Sequence, residues 1–175
     1  MTSGDPSTDP VMLETARLLL RPWRVHEAAI QREMWGERDP RVPPHRRIDA
    51  DGHPAVAEFE EAIRAGHPSS ARLLAVQRSA GGDVIGYCGL VDSGRGTSEP
   101  ELALELLRRA WGHGYATEAS WAVLEWARSS GYERLWASVW DWNDASQRVL
   151  AKLGFAETQR EVTAHGTNVI TTRPL

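Results

Sequence analysis

Trp111-Gly112-His113-Gly114-Tyr115-Ala116 lies between an apolar, strand-like run at residues 101–107 and a long amphipathic stretch at residues 115–129. Glycines at 112 and 114 let the backbone turn tightly and keep side chains away from the amides. A helix that starts beside Tyr115 aims its unpaired N–H groups, and the positive end of its dipole, into that turn. The expected occupant is a phosphate or pyrophosphate. The same six residues would also serve as a plain strand-to-helix turn, so the surrounding chain has to decide between the two.

On the N-terminal side, the strand at 101–107 places Leu102, Leu104 and Leu106 on one face and Glu101, Ala103 and Glu105 on the other. On the C-terminal side, Ala119, Ala122, Val123, Trp126 and Ala127 recur at the spacing of a helix packed on a sheet, and Gly131 stops it. Residues 135–140 read as a further strand. Asp141-Trp142-Asn143-Asp144 supplies cap chemistry for a short helix over 145–153, which Gly154 ends. Residues 155–162 and 168–172 complete a hairpin.

Further upstream, residues 15–21 read as a strand stopped by Pro22, and 25–35 as a helix ended by Gly36. The connection 36–53 holds Pro40, Pro43, Pro44 and the cations Arg38, Arg41, Arg46 and Arg47, and its length is of the kind that is often functional. Residues 54–65 read as a second helix. Strands at 73–76 and 84–91 are joined by a turn at Gly81-Gly82-Asp83. Residues 1–12 are expected to be a flexible lead-in, with one domain over 13–175. The expected class is α/β (α+β), with a mixed, mostly antiparallel central sheet flanked by helices.

The composition narrows the function. A chain of 175 residues can bury the core of one domain without staples. With 24 acidic and 20 basic residues it lacks the cationic excess of a general nucleic-acid binder, so no nucleic acid is expected. The single cysteine, Cys88, cannot form an internal disulfide, and no Cys/His spacing suits zinc, so no metal is expected. No apolar run is long enough to cross a bilayer and residues 1–10 carry no signal core. The expectation is a cytoplasmic protein with no membrane partner.

Set in line, the strand at 101–107, the turn at 111–116, the helix, the strand at 135–140 and the segment 143–155 resemble the GNAT (Gcn5-related) N-acetyltransferases. More narrowly, they resemble the ribosomal-protein N-terminal acetyltransferase (RimJ/RimL-type) branch. The resemblance covers residues 13–172 in outline and 101–155 in motif detail. The family's coenzyme A motif reads Gln/Arg-x-x-Gly-x-Gly/Ala, and two registers fit: Arg109 with Gly112 and Gly114, or Trp111 with Gly114 and Ala116. The second is preferred because it puts the last small residue in the first turn of the helix, where a pyrophosphate must approach the backbone. Trp111 then replaces the usual Gln or Arg. The resemblance implies acetyl-CoA as cosubstrate, held at Trp111, Gly112, His113, Gly114, Tyr115 and Ala116. It also implies that the backbone at Leu104 and Leu106 pairs with the pantetheine arm as with an added strand.

A second signature, Asn143-Asp144-Ala145-Ser146, Val149-Leu150 and Gly154-Phe155, is similar to the family's Asn-x-x-Ser/Ala…Leu…Gly-Phe element. In many relatives a tyrosine follows the apolar residue and protonates the departing thiolate. Here that position is Leu150, and the resembling branch uses a serine one turn earlier, which is Ser146. Asn143 would cap this helix and touch coenzyme A as well. A homodimer is in keeping with the family.

Acetyl transfer from a thioester to a primary amine needs a neutral nucleophile, a held carbonyl and a protonated leaving thiolate. A lysine amine, at about 10.4, needs more help than an α-amine at about 7.7–8. Glu101 and Glu105 could draw that proton away through water, Glu105 being nearer the expected splay of the sheet; the other reading is a solvated sheet face or salt-bridge partners. Ser146 as general acid competes with a helix-surface serine bonded to its own backbone. No Ser/His/Asp or Cys/His ordering suggests a covalent acyl-enzyme, so direct transfer in a ternary complex is expected. The acceptor, a protein N-terminus or a small molecule, should meet residues 36–53 and the C-terminal hairpin. A catalytically silent acyl-CoA-binding or regulatory module is the alternative, kept open by Leu150 and Trp111.

Overall fold

The computed structural model describes residues 12–66, 72–96 and 98–175, so the expected lead-in at 1–12 falls outside the described residues except for Met12. Among the described residues eight strands are formed: β1 Leu13–Glu14, β2 Leu18–Arg21, β3 Arg72–Arg78, β4 Val84–Val91, β5 Glu101–Leu106, β6 Arg134–Trp140, β7 Ala156–Thr163 and β8 Gly166–Pro174. The helices are α1 Ala28–Glu37, α2 Val56–Ala65, α3 Tyr115–Ser129 and α4 Asp144–Lys152. The strands make one sheet in the order β1-β2-β3-β4-β5-β6-β8-β7. Among these described strands only β5 and β6 run parallel. A parallel pair needs a crossover, and α3 provides it. The mixed, mostly antiparallel sheet matches the class expected from the sequence.

The buried face of α3 (Ala119, Val123, Leu124, Ala127) packs in one cluster with Leu18, Leu20, Val76, Cys88, Leu102 and Leu106 from four strands. Side chains alternate across a strand, so Tyr87 and Glu105, which are paired across β4 and β5, face the opposite side from Cys88 and Leu104. There they meet the chain that leaves α1. Cys88 is fully buried against Ser120, its Sγ 3.7 Å from the serine Oγ, and burial pushes the thiol up to about 12.

Three differences from the sequence reading have a visible local cause. The first strand is a small hairpin, because the Thr15 amide donates to Leu18 O (2.9 Å) and the Leu18 amide to Thr15 Oγ1 (3.0 Å). A 3-10 turn, Val25–Glu27, precedes α1, and Glu27 is held there by a buried pair with Arg21 at 2.5 Å. Gly36 sits inside α1 instead of ending it; the chain turns extended at Arg38, whose side chain is drawn to Glu105.

Candidate active site

The sheet splits at β5. β5 and β6 share one register position, Glu101 opposite Trp136, where the Trp136 amide donates to Pro100 O at 3.0 Å. One step on, the Ser138 amide donates to the Glu101 carboxylate at 3.1 Å instead of to a backbone carbonyl. Glu101 thus closes the last rung of the ladder, and the strands part beyond it. The Leu107 amide donates to Ile85 O on β4 (2.9 Å). By alternation, Leu102, Leu104 and Leu106 turn their backbone groups away from β4 and into the gap. Leu106 O already accepts the Trp111 indole Nε1 at 2.7 Å. Leu104 has no ladder partner there.

The gap leads to the turn before α3. Gly112 and Gly114 have φ of 78° and 81°, the left-handed region that glycine adopts without strain. Gly114 is the N-cap of α3 and brings no side chain to cap it. Among the described residues, no acceptor takes the backbone N–H of residues 112–117. A Cβ at Gly112 would meet nothing within 4 Å, so the concavity is open. Several unpaired amides around an open turn are the donor set that a pyrophosphate needs. His113 lies at the lip, exposed, its Nδ1 2.8 Å from Trp111 O and its ring stacked on Tyr115 at 5.5 Å. Trp111 is half-exposed and Ala116 sits in the first helical turn.

Glu105 is engaged on both oxygens. Arg38 donates from Nε at 2.8 Å and from a terminal nitrogen at 2.6 Å, and the Tyr87 hydroxyl adds a third bond at 3.0 Å. About one of the four lone-pair sites of a carboxylate is left. Burial works against the Arg38 cation, yet the bonds and charge of Glu105 raise its pKa. Burial, reinforced by the negative charge of Glu105, raises Tyr87 as well, so its hydroxyl keeps its proton. Arg38 also stacks on Trp35 at 4.2 Å and donates to Arg46 O at 3.0 Å, which ties the 36–53 segment to β5. The sequence named Glu105 but missed Tyr87 and Arg38; nothing in the local pattern of either marks the pairing.

At the far side of the gap, Asn143 caps α4 through Oδ1, which accepts from the Ser146 amide at 3.1 Å. Ser146 is half-buried, and among the described residues its hydroxyl has no partner. Leu150 is buried in the core. Beside this helix a cavity of about 630 Å³ is lined by Pro40, Arg41, Asp141, Trp142, His165 and Gly166. Its wall is Trp142, stacked on Trp140 at 6.0 Å and covered by the Arg41 guanidinium at 4.4 Å. The β7–β8 turn closes on it because residue 166 is glycine: a Cβ there would fall 2.9 Å from Trp142 Nε1. Asp141 Oδ1 accepts from the Thr167 amide at 3.2 Å. Glu105 and the gap thus lie on β5, the glycine turn follows β5 and the capped start of α4 follows β6, whereas Glu101 is used at the apex of the split. Among the described residues no cluster of His, Cys, Asp or Glu could hold a metal, and no helix is long and apolar enough to cross a membrane.

Residues 17–156 match the family model described as an acetyltransferase (GNAT) domain. The fold is similar to that of a GNAT-family acetyltransferase from Bacillus anthracis, with a TM-score of 0.77 at 16% identity, covering 94% of this chain and 98% of that one. Mutant forms of the spermidine/spermine N-acetyltransferase SpeG from Vibrio cholerae give 0.74 at 14% identity, covering 91% and 95%. Mycobacterium smegmatis RimJ, in complex with CoA-disulfide, gives 0.74 at 20% identity, covering 94% and 86%. Among curated proteins, none matches the sequence.

Proposed function

The chain belongs to the GNAT acetyltransferases, acyl-CoA-dependent N-acyltransferases, and from that premise we propose that it acetylates the α-amine of a peptide or protein by direct transfer in a ternary complex. The observation that carries the reading is the split between β5 and β6, which opens an unpaired strand edge at Leu104 and ends on the free amides of residues 112–117. Acetyl-CoA supplies the activated acyl group as a thioester. Amides of the turn 111–116 hold its pyrophosphate, and Leu104 pairs with the pantetheine arm. The Leu106 carbonyl, already bonded to Trp111, contributes its second lone pair.

Ser146 holds the proton for the leaving thiolate, since its hydroxyl is free and no tyrosine stands on α4. An α-amine with a pKa near 7.7–8 is substantially neutral at physiological pH and needs little base. Glu105 takes the proton through water at its one open lone-pair site, or leaves it to solvent, while Arg38 and Tyr87 keep it in place. Glu101 holds the apex of the split. The acceptor enters by the cavity beside Trp142. Arg41, paired with Asp39 at 2.8 Å, and His165 line it, and Asp141 is bonded to the Thr167 amide.

The test is thiol release from acetyl-CoA with peptides bearing free N-termini, N-terminally blocked lysine peptides and spermidine. Release with the free termini alone is expected. Tight coenzyme A binding with no release from any amine would establish the second reading, a silent acyl-CoA module, which Leu150 in the core in place of an acid favours.

A further inference from the structure

We propose that Arg17 is a positioning residue for the coenzyme A cradle, and that it acts by bracing the turn before α3 and by cancelling the charge of Glu118 beneath it. The proposal rests on reading residues 111–116 as that cradle. Arg17 sits in the β1–β2 hairpin, about a hundred residues before the turn in sequence, yet it reaches both sides of Gly114. Its Nη1 donates to His113 O at 3.0 Å, and its guanidinium lies 4.6 Å from the centre of the Tyr115 ring. Its Nη2 is 3.6 Å from where a Cβ on Gly114 would stand. The N-cap residue of α3 is therefore flanked by one cation.

The same side chain pairs with Glu118, in the first turn of α3. Arg17 Nε donates to Oε2 at 2.7 Å, Nη2 lies 2.6 Å from that oxygen, and the Arg17 amide donates to Oε1 at 3.0 Å. Thr15 Oγ1 donates to Oε1 at 2.6 Å. A carboxylate in the first turn stabilises a bare helix N-terminus. It also opposes the arrival of another anion at the same amides. With Arg17 in place, the two charges offset one another and the dipole and amides are left to face the pyrophosphate. Without Arg17, Glu118 becomes an uncompensated charge below the cradle and the His113 carbonyl loses its brace.

The test is calorimetric binding of coenzyme A to the full chain and to Arg17→Ala, Glu118→Gln and the double variant, with the melting temperature of each recorded. Arg17→Ala should weaken coenzyme A about tenfold, the order of one charge-assisted bond. Adding Glu118→Gln to it should recover about threefold of that affinity without recovering any melting temperature, because the hydrogen bonds are lost either way. A purely structural tie predicts the reverse: a lower melting temperature with coenzyme A affinity kept within about twofold, or a double variant that binds no better than Arg17→Ala. Either result overturns the proposal. Should Arg17→Ala fail to fold, Glu118→Gln alone decides, since it should bind coenzyme A as tightly as the parent or more tightly, and weaker binding refutes it. Failure of the unmodified protein to bind coenzyme A would instead overturn the cradle itself.

Discussion

Ser146 is tied down at its amide by Asn143, and among the described residues its hydroxyl has no partner. A serine on a helix turn usually bonds its own backbone; among the described residues this hydroxyl makes no such bond, and only the amide is engaged, by Asn143 Oδ1. Ser146→Ala should therefore lower turnover by roughly 10²-fold while leaving the coenzyme A dissociation constant unchanged, as read by steady-state kinetics beside calorimetry. An unchanged turnover would remove the hydroxyl from the mechanism. Asn143 and Ser146 were legible in the sequence because a helix cap is settled within three residues, by a side chain and the amide that it can reach. Arg38 and Arg17 were not, since an arginine has the same local pattern whether it ends in solvent or on a carboxylate in a distant element.

At the level of elements, Arg38 is the joint between the end of α1, the 36–53 segment and β5. Its guanidinium is nearly buried and Glu105 only partly exposed, 9% and 20% by side chain, so removing one partner strands the other charge. Arg38→Ala should destabilise the fold by about 3 kcal/mol, measured by the denaturant midpoint, and should raise the acceptor KM while the affinity for coenzyme A holds. A loss of coenzyme A affinity instead would mean that the joint serves the donor side. The strands and helices themselves were largely readable, because their hydrophobic periods of 2 and 3.6 are local. Gly36 inside α1 and the hairpin at residues 13–21 were misjudged where a tertiary pull, Glu105 on Arg38, and a side-chain bond, Thr15 to Leu18, outweighed the local signal.

Across the whole molecule, carboxylates tie distant segments together and set the acid limit of the fold. Glu27 has its pKa lowered: burial opposes ionisation, and the bonds from Arg21 and the Arg24 amide outweigh it. Glu118 is lowered in the same way against its own burial, by Thr15 and Arg17. Hydrogen bonding from Arg78 lowers Asp83. A carboxyl group whose folded pKa lies below its unfolded value contributes stability that is full above the unfolded value, about 4 for these groups, and is lost as the pH falls through the folded value. The free energy of unfolding should thus be level in its carboxylate contribution from neutral pH to about 5 and fall below about 4, and Glu27→Ala should flatten that fall. A chemical-denaturation series across pH 2–7 checks it; an unaltered slope in Glu27→Ala would deny the pair its role. By itself the sequence determined the elements, the glycine turn and the cap at Asn143, each of which depends on residues a few positions apart, and it carried the family resemblance through the order of those motifs. Tertiary structure alone decided the split at Glu101, the Arg38–Glu105–Tyr87 group, the Arg17–Glu118 brace and the cavity at Trp142. Each of these joins charges or rings tens of residues apart, and such groups acquire partners only once the order of strands in the sheet has brought them within reach.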